Sequence, residues 1–261
     1  MSQIALQMYT LRRHMNDLAQ LKETLRRVAE IGYKNVQISV PDYMSVEELQ
    51  SELERNGLAA DSVFAPSMKI TGMVNEITHS AQILRTDVVR TDSIPQEWAG
   101  SPQGYRDYAK VLDEAGSALA SRGLKFYYHF HAFEWINFED GVRGIDILLN
   151  DTNPETVGFQ PDVFWLTAAG TEPSSSLALF RGRARYMHVK DYAIVRRTGI
   201  LESVPRAFAP VGLGNLNWNG LIPAAKDAGI ERFVVEQDEC EGDEFEAIRT
   251  SLENLHRMGI Y

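Results

Sequence analysis

Cysteine is nearly absent: Cys240 stands alone among 261 residues, so no internal disulfide can form. The lone thiol leaves the redox compartment open, with a cytoplasmic location as the default expectation. Long apolar runs are missing, so no membrane span is expected. The N-terminus opens directly as a strand, Ile4-Ala-Leu-Gln-Met-Tyr-Thr10, with no charged leader before an apolar core, and no signal peptide is expected. Basic residues are in deficit, 26 Lys and Arg against 36 Asp and Glu, for a net charge of −10. Such a field repels nucleic acid and anionic membranes and argues against a nuclease with a basic groove. Glycine-rich phosphate cradles are absent too; the first strand runs into Tyr9-Thr10-Leu11-Arg12.

What is present is ample core material. With 44% hydrophobic and 24% charged residues, the chain can form one large α/β domain or two small ones. Residues 4–10 read as a strand, and Leu18, Leu21, Leu25, Val28 and Ile31 recur at helical spacing up to Gly32. Residues 35–40 form the second strand. Ser45 and Glu48 make a capping box for a helix carrying Val46, Leu49 and Leu53 and closed by Gly57. Strands follow at 59–66 and 87–94, with helices at 72–84 and 101–120. A fifth strand starts at Lys125, before a short helix at 142–149. Residues 157–166 and 185–192 give the sixth and seventh strands around a helix at 174–180, and an irregular segment then runs to Asn215. Helix 218–228, strand 232–238 and helix 243–258 complete eight strand–helix units, repeating about every 30 residues like βαβ crossovers. That count and length predict a single (β/α)8 TIM barrel over residues 1–261. The alternative, a doubly wound sheet, usually has fewer strands and a Gly-rich first turn.

The chain is organised around Lys125-Phe-Tyr-Tyr-His-Phe-His-Ala-Phe-Glu-Trp135. Alternation puts Phe126, Tyr128 and Phe130 on one face and Tyr127, His129 and His131 on the other. Taken alone, His129 and His131 read as hydrogen-bonded core histidines. In a barrel, however, the C-terminal strand ends face one mouth. Those ends offer His129, His131 and Glu134 on the fifth strand, Gln160 and Asp162 on the sixth, His188 and Lys190 on the seventh, and Glu236 and Asp238 on the eighth. Each has a bland reading: Asp162 could cap a turn after Pro161, and His188 could be a core histidine. Glu236 follows Val234-Val235, where an unpartnered carboxylate would cost several kcal/mol, so a partner is expected. Acids and imidazoles at four consecutive strand ends point jointly to a site for Mn²⁺, Mg²⁺, Co²⁺ or Zn²⁺.

The sequence resembles the xylose isomerase-like TIM barrels, a group of sugar-phosphate isomerases and epimerases, inosose dehydratase and the endonuclease IV proteins. Leu6-Gln-Met-Tyr-Thr-Leu-Arg12 is similar to one branch's Q-[LM]-Y-[ST]-x-R opening. Gly32-Tyr-Lys-Asn-Val-Gln-Ile-Ser39 is similar to the family's second strand, with Gln37 where many members have glutamate. Tyr128-His-Phe-His-Ala-Phe-Glu134 is close to Y-H-N-H-x-F-E, and Asp162-Val-Phe-Trp165, His188-Val-Lys-Asp191 and Val235-Glu-Gln-Asp238 match later site motifs. The resemblance implies one divalent metal ion bound by Asp162, His188 and Glu236. The family's first glutamate is replaced here, so the fourth ligand is either His129 or Glu134. Leu213 also departs, standing where relatives often have glutamate.

The expected reaction is isomerisation or epimerisation of a sugar or polyol by proton abstraction next to a carbonyl, through a metal-stabilised enediolate. Elimination from an inosose or keto-glycoside is the alternative. Glu236 is the first choice for acid/base, with Glu134 or His131 opposite, while Lys190 and Gln7 bind hydroxyls and Trp165 floors the pocket. Lys190 is the only cation among these mouth residues, and the nearest other source of positive charge is Arg196-Arg197 in the loop after the seventh strand. The balance favours a neutral substrate over a sugar phosphate. A non-catalytic sugar-binding barrel is the reading from another class; a metal-dependent nuclease is disfavoured by the charge and by having only six histidines. The partners expected are a small-molecule sugar or polyol and, as an open alternative, further copies of the chain in a homo-oligomer, with no nucleic acid and no membrane.

Overall fold

Apolar residues at alternate positions give strands with one face turned to helices, and eight such strands run parallel. They are β1 (Ile4–Gln7), β2 (Asn35–Gln37), β3 (Ala59–Phe64), β4 (Val88–Asp92), β5 (Lys125–His129), β6 (Val157–Gln160), β7 (Tyr186–Val189) and β10 (Arg232–Val235). The computed structural model describes residues 2–139, 141–195 and 206–261. The hydrogen-bonded order is β6-β5-β4-β3-β2-β1-β10-β7. The seam between β6 and β7 is closed by fewer bonds: Phe159 N–H donates to Arg183 O (2.7 Å), His188 N–H to Pro161 O (2.8 Å), and Asp162 and His188 form an isolated parallel bridge. The result is the expected (β/α)8 barrel.

The helices start where the sequence supplies caps. Helix α1 (Leu18–Ile31) begins at Asp17, which accepts from Gln20 N–H at 2.8 Å, and ends at Gly32, whose φ of 123° suits glycine. Helix α2 (Val46–Arg55) carries the capping box, with Ser45 and Glu48 bonded reciprocally at 2.8 and 3.2 Å. Helices α3 (Val74–Leu84), α4 (Pro102–Ala120) and α5 (Gly144–Asp151) follow β3, β4 and β5. Helix α6 (Val163–Ala168) and the short α7 (Pro173–Ser176) follow β6, while α8 (Trp218–Ala228) and α9 (Glu244–Arg257) flank β10. Their apolar stripes cover the outer strand face, burying Leu6, Val36, Val63, Val89, Phe126, Tyr128, Phe159, Met187, Phe233 and Val235. A large apolar side chain buried this way contributes roughly 1.5–3 kcal/mol. No described helix is long and apolar enough to cross a membrane.

Strands end earlier than the sequence pattern implies, because side chains at their ends cap turns. Gln7 accepts from Tyr9 N–H (3.3 Å), and residues 8–14 form 3-10 turns instead of extending β1. Asp162 caps α6, so the residues after it leave the sixth strand. The segment expected to be irregular after the seventh strand contains β8 (Asp191–Ile194) and β9 (Arg206–Ala209), paired antiparallel. Arg196 and Arg197 lie outside the described residues.

The barrel interior is unusually polar. Gln37 Oε1 accepts from Gln7 Nε2 (3.4 Å) and Gln160 Nε2 (3.2 Å), linking three strands across the axis. Lower down, the Tyr127 ring packs against Gly158, and a Cβ there would lie 2.5 Å from the ring and 2.9 Å from Arg183 O. Gly158→Ala should therefore destabilise the fold by about 1–3 kcal/mol, measured by urea denaturation. A change below about 0.5 kcal/mol would mean that the Tyr127 ring moves aside at no penalty.

Candidate metal centre and active site

A carboxylate in a barrel wall needs a cation, and Glu236, just past β10, finds Lys190 with Oε2–Nζ at 2.9 Å. Lys190 is 2% exposed and also meets Asp162 Oδ2 at 3.2 Å and both Asp238 oxygens at 3.1 Å. Burial disfavours its ammonium, but Asp162, Glu236 and Asp238 together raise its pKa. Burial likewise disfavours the Glu236 carboxylate, yet Lys190 and then His188 hold its pKa well below the usual range.

His188 is oriented from behind. Its Nε2 faces Gln37 Oε1 at 3.1 Å, and a carbonyl oxygen can only accept, so Nε2 carries a proton and Nδ1 is the ring atom turned toward Asp162 and Glu236. Gln37 is itself held with its amide nitrogen donating to Asp61 Oδ2 (3.3 Å), and Asp61 pairs with Arg232 Nε at 2.9 Å. Burial pulls the His188 pKa down, but Glu236 and Asp162 raise it overall. His129 is arranged the same way from β5: Nδ1 lies 3.2 Å from Gln160 O, leaving Nε2 free. Burial, reinforced by His188, keeps its pKa well below normal and its ring neutral. Asp162 divides its oxygens. Oδ1 accepts from Phe164 N–H (2.8 Å) and Trp165 N–H (3.2 Å), the capping role, while Oδ2 turns into the mouth.

Whether these residues suit a divalent ion is decided by their buried atoms that lack a hydrogen-bond partner. Asp162 Oδ2, His188 Nδ1 and Glu236 Oε2 are buried and have no hydrogen-bond partner. His188 Nδ1 stands 2.9 Å from Glu236 Oε2, and Lys190 Nζ balances the charge 2.9 Å from Glu236 Oε2 and 3.2 Å from Asp162 Oδ2, all outside hydrogen-bond geometry. One ligand atom each from His129, Asp162, His188 and Glu236 lies within 4.8 Å of the others. Ligands on opposite sides of an ion bonded at about 2.1 Å stand about 4.2 Å apart, so the set needs only a small contraction. Mixed oxygen and imidazole donors also suit such an ion.

The family model of the xylose isomerase-like TIM barrel matches residues 25–258. This chain belongs to that family. Solved structures with the same fold include a sugar phosphate isomerase/epimerase from Parabacteroides distasonis (18% identity, 97% of this chain and 93% of that one, TM-score 0.79). A xylose isomerase-like TIM barrel protein from Mycobacterium smegmatis in complex with magnesium shares 16% identity over 98% of this chain and 96% of its own, with TM-score 0.75. The IOLI protein with a zinc atom shares 18% identity over 100% of this chain and 99% of its own, with TM-score 0.73. Among curated proteins, none matches the sequence.

In this xylose isomerase-like barrel, a cleft of about 800 Å³ opens over the cluster, lined by Gln7, His129, His131, Trp165, His188, Lys190 and Glu236 among others. His131 packs between Phe133 and Trp165, and burial lowers its pKa. The structure does not bring Glu134 to the cluster. Tyr128 alternates away from the barrel axis, and Glu134 follows it, accepting from Tyr128 Oη and from His131 N–H (2.9 Å). Leu213 is 61% exposed on a loop tied down by Asp191, which accepts from Gly212, Gly214 and Leu216 N–H and from the Trp218 indole.

Sequence reasoning missed Gln37 as the orienting group and two cleft cations, Arg12 and Arg90. The signal for Arg90 was legible: a charge after Val88-Val89 is as anomalous as Glu236 after Val234-Val235.

Glu134 generates a testable pH dependence. Burial raises its pKa from 4.5 to about 8, so the folded state favours the neutral acid. Its contribution to stability is full below the unfolded pKa and is lost as pH rises toward about 8, at roughly 1.4 kcal/mol for each step of one in pH. Melting curves from pH 4 to 9 should show a flatter loss for Glu134→Gln than for the parent; parallel curves would refute the raised pKa.

Proposed function

We propose that the chain is a divalent-metal-dependent isomerase or epimerase of a small sugar or polyol, acting by proton abstraction next to a carbonyl. The observation that carries this reading is the convergence of three buried ligand atoms without a hydrogen-bond partner in a mouth that already holds an excess of carboxylate. His129, Asp162, His188 and Glu236 would hold the ion. When bound, the ion supplies Lewis acidity that makes the C–H beside a carbonyl easier to break.

The chain's own groups divide the remaining work. Glu236, kept ionised by Lys190 and His188, takes the proton from the substrate carbon. His131, kept neutral by burial and lining the same cleft, is placed to receive or return a proton on another side. Gln7 and Lys190 offer donors to substrate oxygens, and Trp165 gives an apolar wall with a buried indole N–H that has no partner. Return of the proton to the neighbouring carbon isomerises, return from the opposite face epimerises, and loss of a β-substituent would make the same first step a lyase reaction.

Metal content is the first test. Protein incubated with Mn²⁺ or Zn²⁺ should retain one ion per chain by elemental analysis, and Asp162→Asn or His188→Ala should lose it. No retained ion at saturating concentrations would sink the reading. Gln37→Leu, which frees the His188 ring, should weaken metal binding by roughly 10- to 100-fold with the ligands intact.

Chemistry is the second. In D₂O, the Mn²⁺-loaded protein should wash deuterium into the carbon beside the carbonyl of a ketose or inosose substrate. Glu236→Gln should slow that exchange by roughly 10²- to 10⁴-fold, far beyond any loss of stability. Equal losses of exchange and melting temperature would make Glu236 a structural carboxylate.

A further inference from the structure

Arg90 is a cation that the barrel interior holds without an ion-pair partner. It follows Val88-Val89 on β4, pairs in register with Tyr127 of β5, and is 5% exposed. Its Nε is buried with no hydrogen-bond partner, and no described residue forms an ion pair with its guanidinium. Its Cζ lies over the Phe64 ring, 5.1 Å from the centroid. The same side chain lines the cleft that holds His129, His131 and Glu236. Asp92, Glu236 and Asp61 are near enough for their fields to be felt, but none reaches it as a partner. Asp61 is engaged by Arg232 and Gln37, Glu236 by Lys190, and Asp92 lines the same cleft two residues further along β4. An unpaired buried guanidinium destabilises the protein that carries it, so keeping one implies an anion that arrives from outside.

We propose that Arg90 receives a carboxylate of the substrate, which makes the substrate an acidic sugar or hydroxy acid and not a neutral polyol. This rests on the reading of the cleft as the reaction site, and it narrows the substrate class. A guanidinium beside an aromatic ring keeps its N–H groups free of a competing acceptor there, and its planar fork matches a carboxylate in two parallel hydrogen bonds. A phosphate dianion takes more donors than one fork. The other cleft guanidinium, Arg12, already gives Nη1 to the carbonyls of Asp238 (2.7 Å) and Tyr9 (3.0 Å).

The test uses calorimetric binding to the Mn²⁺-loaded full chain, with D-glucuronate against D-glucose, D-galacturonate against D-galactose, and D-glucose 6-phosphate as the phosphate arm. Each acid should bind at least roughly 10-fold more tightly than its neutral counterpart. Arg90→Gln should collapse that ratio toward one, and Arg90→Lys should keep part of it. Because the native guanidinium is unpaired, Arg90→Gln should melt at or above the parent temperature. A structural arginine would instead lower the melting temperature and leave the ratio alone. Absence of acid binding, equal binding of acid and neutral sugar, or a ratio unchanged in Arg90→Gln overturns the proposal. Tighter binding of the phosphate than of either acid overturns the choice of carboxylate. Metal content and deuterium exchange of the same preparations test the reaction separately. Acid binding through Arg90 without metal or exchange defeats the reaction reading alone, and exchange confined to neutral sugars defeats only the Arg90 assignment.

Discussion

Two carboxylates buried beside one ammonium and one imidazole form the constraint on which the rest of the barrel turns. Asp162 and Glu236 come from opposite sides of β7, which carries His188 and is followed by Lys190, so their charges meet only if β6, β7 and β10 end at matching heights. Removing one partner from such a cluster costs about 3–5 kcal/mol, because the remaining charge is stranded in low dielectric. The seam between β6 and β7 has few backbone bonds, yet it is bridged at Asp162 and His188. The same residues thus help close the barrel and belong to the cluster that could hold an ion.

Behind that cluster, polar side chains replace the branched apolar layers usual in such barrels. Arg232 neutralises Asp61, Asp61 fixes the Gln37 amide, and Gln37 fixes the protonated nitrogen of His188. Each member is satisfied by the next, which is the condition under which a buried polar network rigidifies a core. A glutamine here accepts from three sides without adding a negative charge to an interior that already carries Asp61, Asp162 and Glu236.

Much of this was legible in the sequence. Periodicity and glycine stops marked eight units, and their C-terminal strand ends put His129, His188 and Glu236 at one mouth. Boundaries were less legible, because Gln7 and Asp162 end their strands with side-chain bonds to the following backbone, and those bonds leave no periodic trace. The choice between His129 and Glu134 was open for a similar reason: a turn of 3-10 helix after His131 decides which way Glu134 points. Arg90 was masked by its setting, since β4 reads as a plain strand, although an arginine among valines is itself a signal.

The lining of the cleft is split around the barrel. The groups able to hold an ion come from the ends of β5, β6, β7 and β10, whereas Gln7, Ser39, Phe64 and Arg90 come from β1, the end of β2, β3 and β4. Across the barrel axis, Gln37 joins the two sets through Gln7, Gln160 and His188. A substitution on β1 to β4 can therefore reshape one half of the cup without touching the atoms gathered for an ion on the other. Selectivity and bond-breaking thus have separate addresses in one cup, and either can be altered by hand without rebuilding the other.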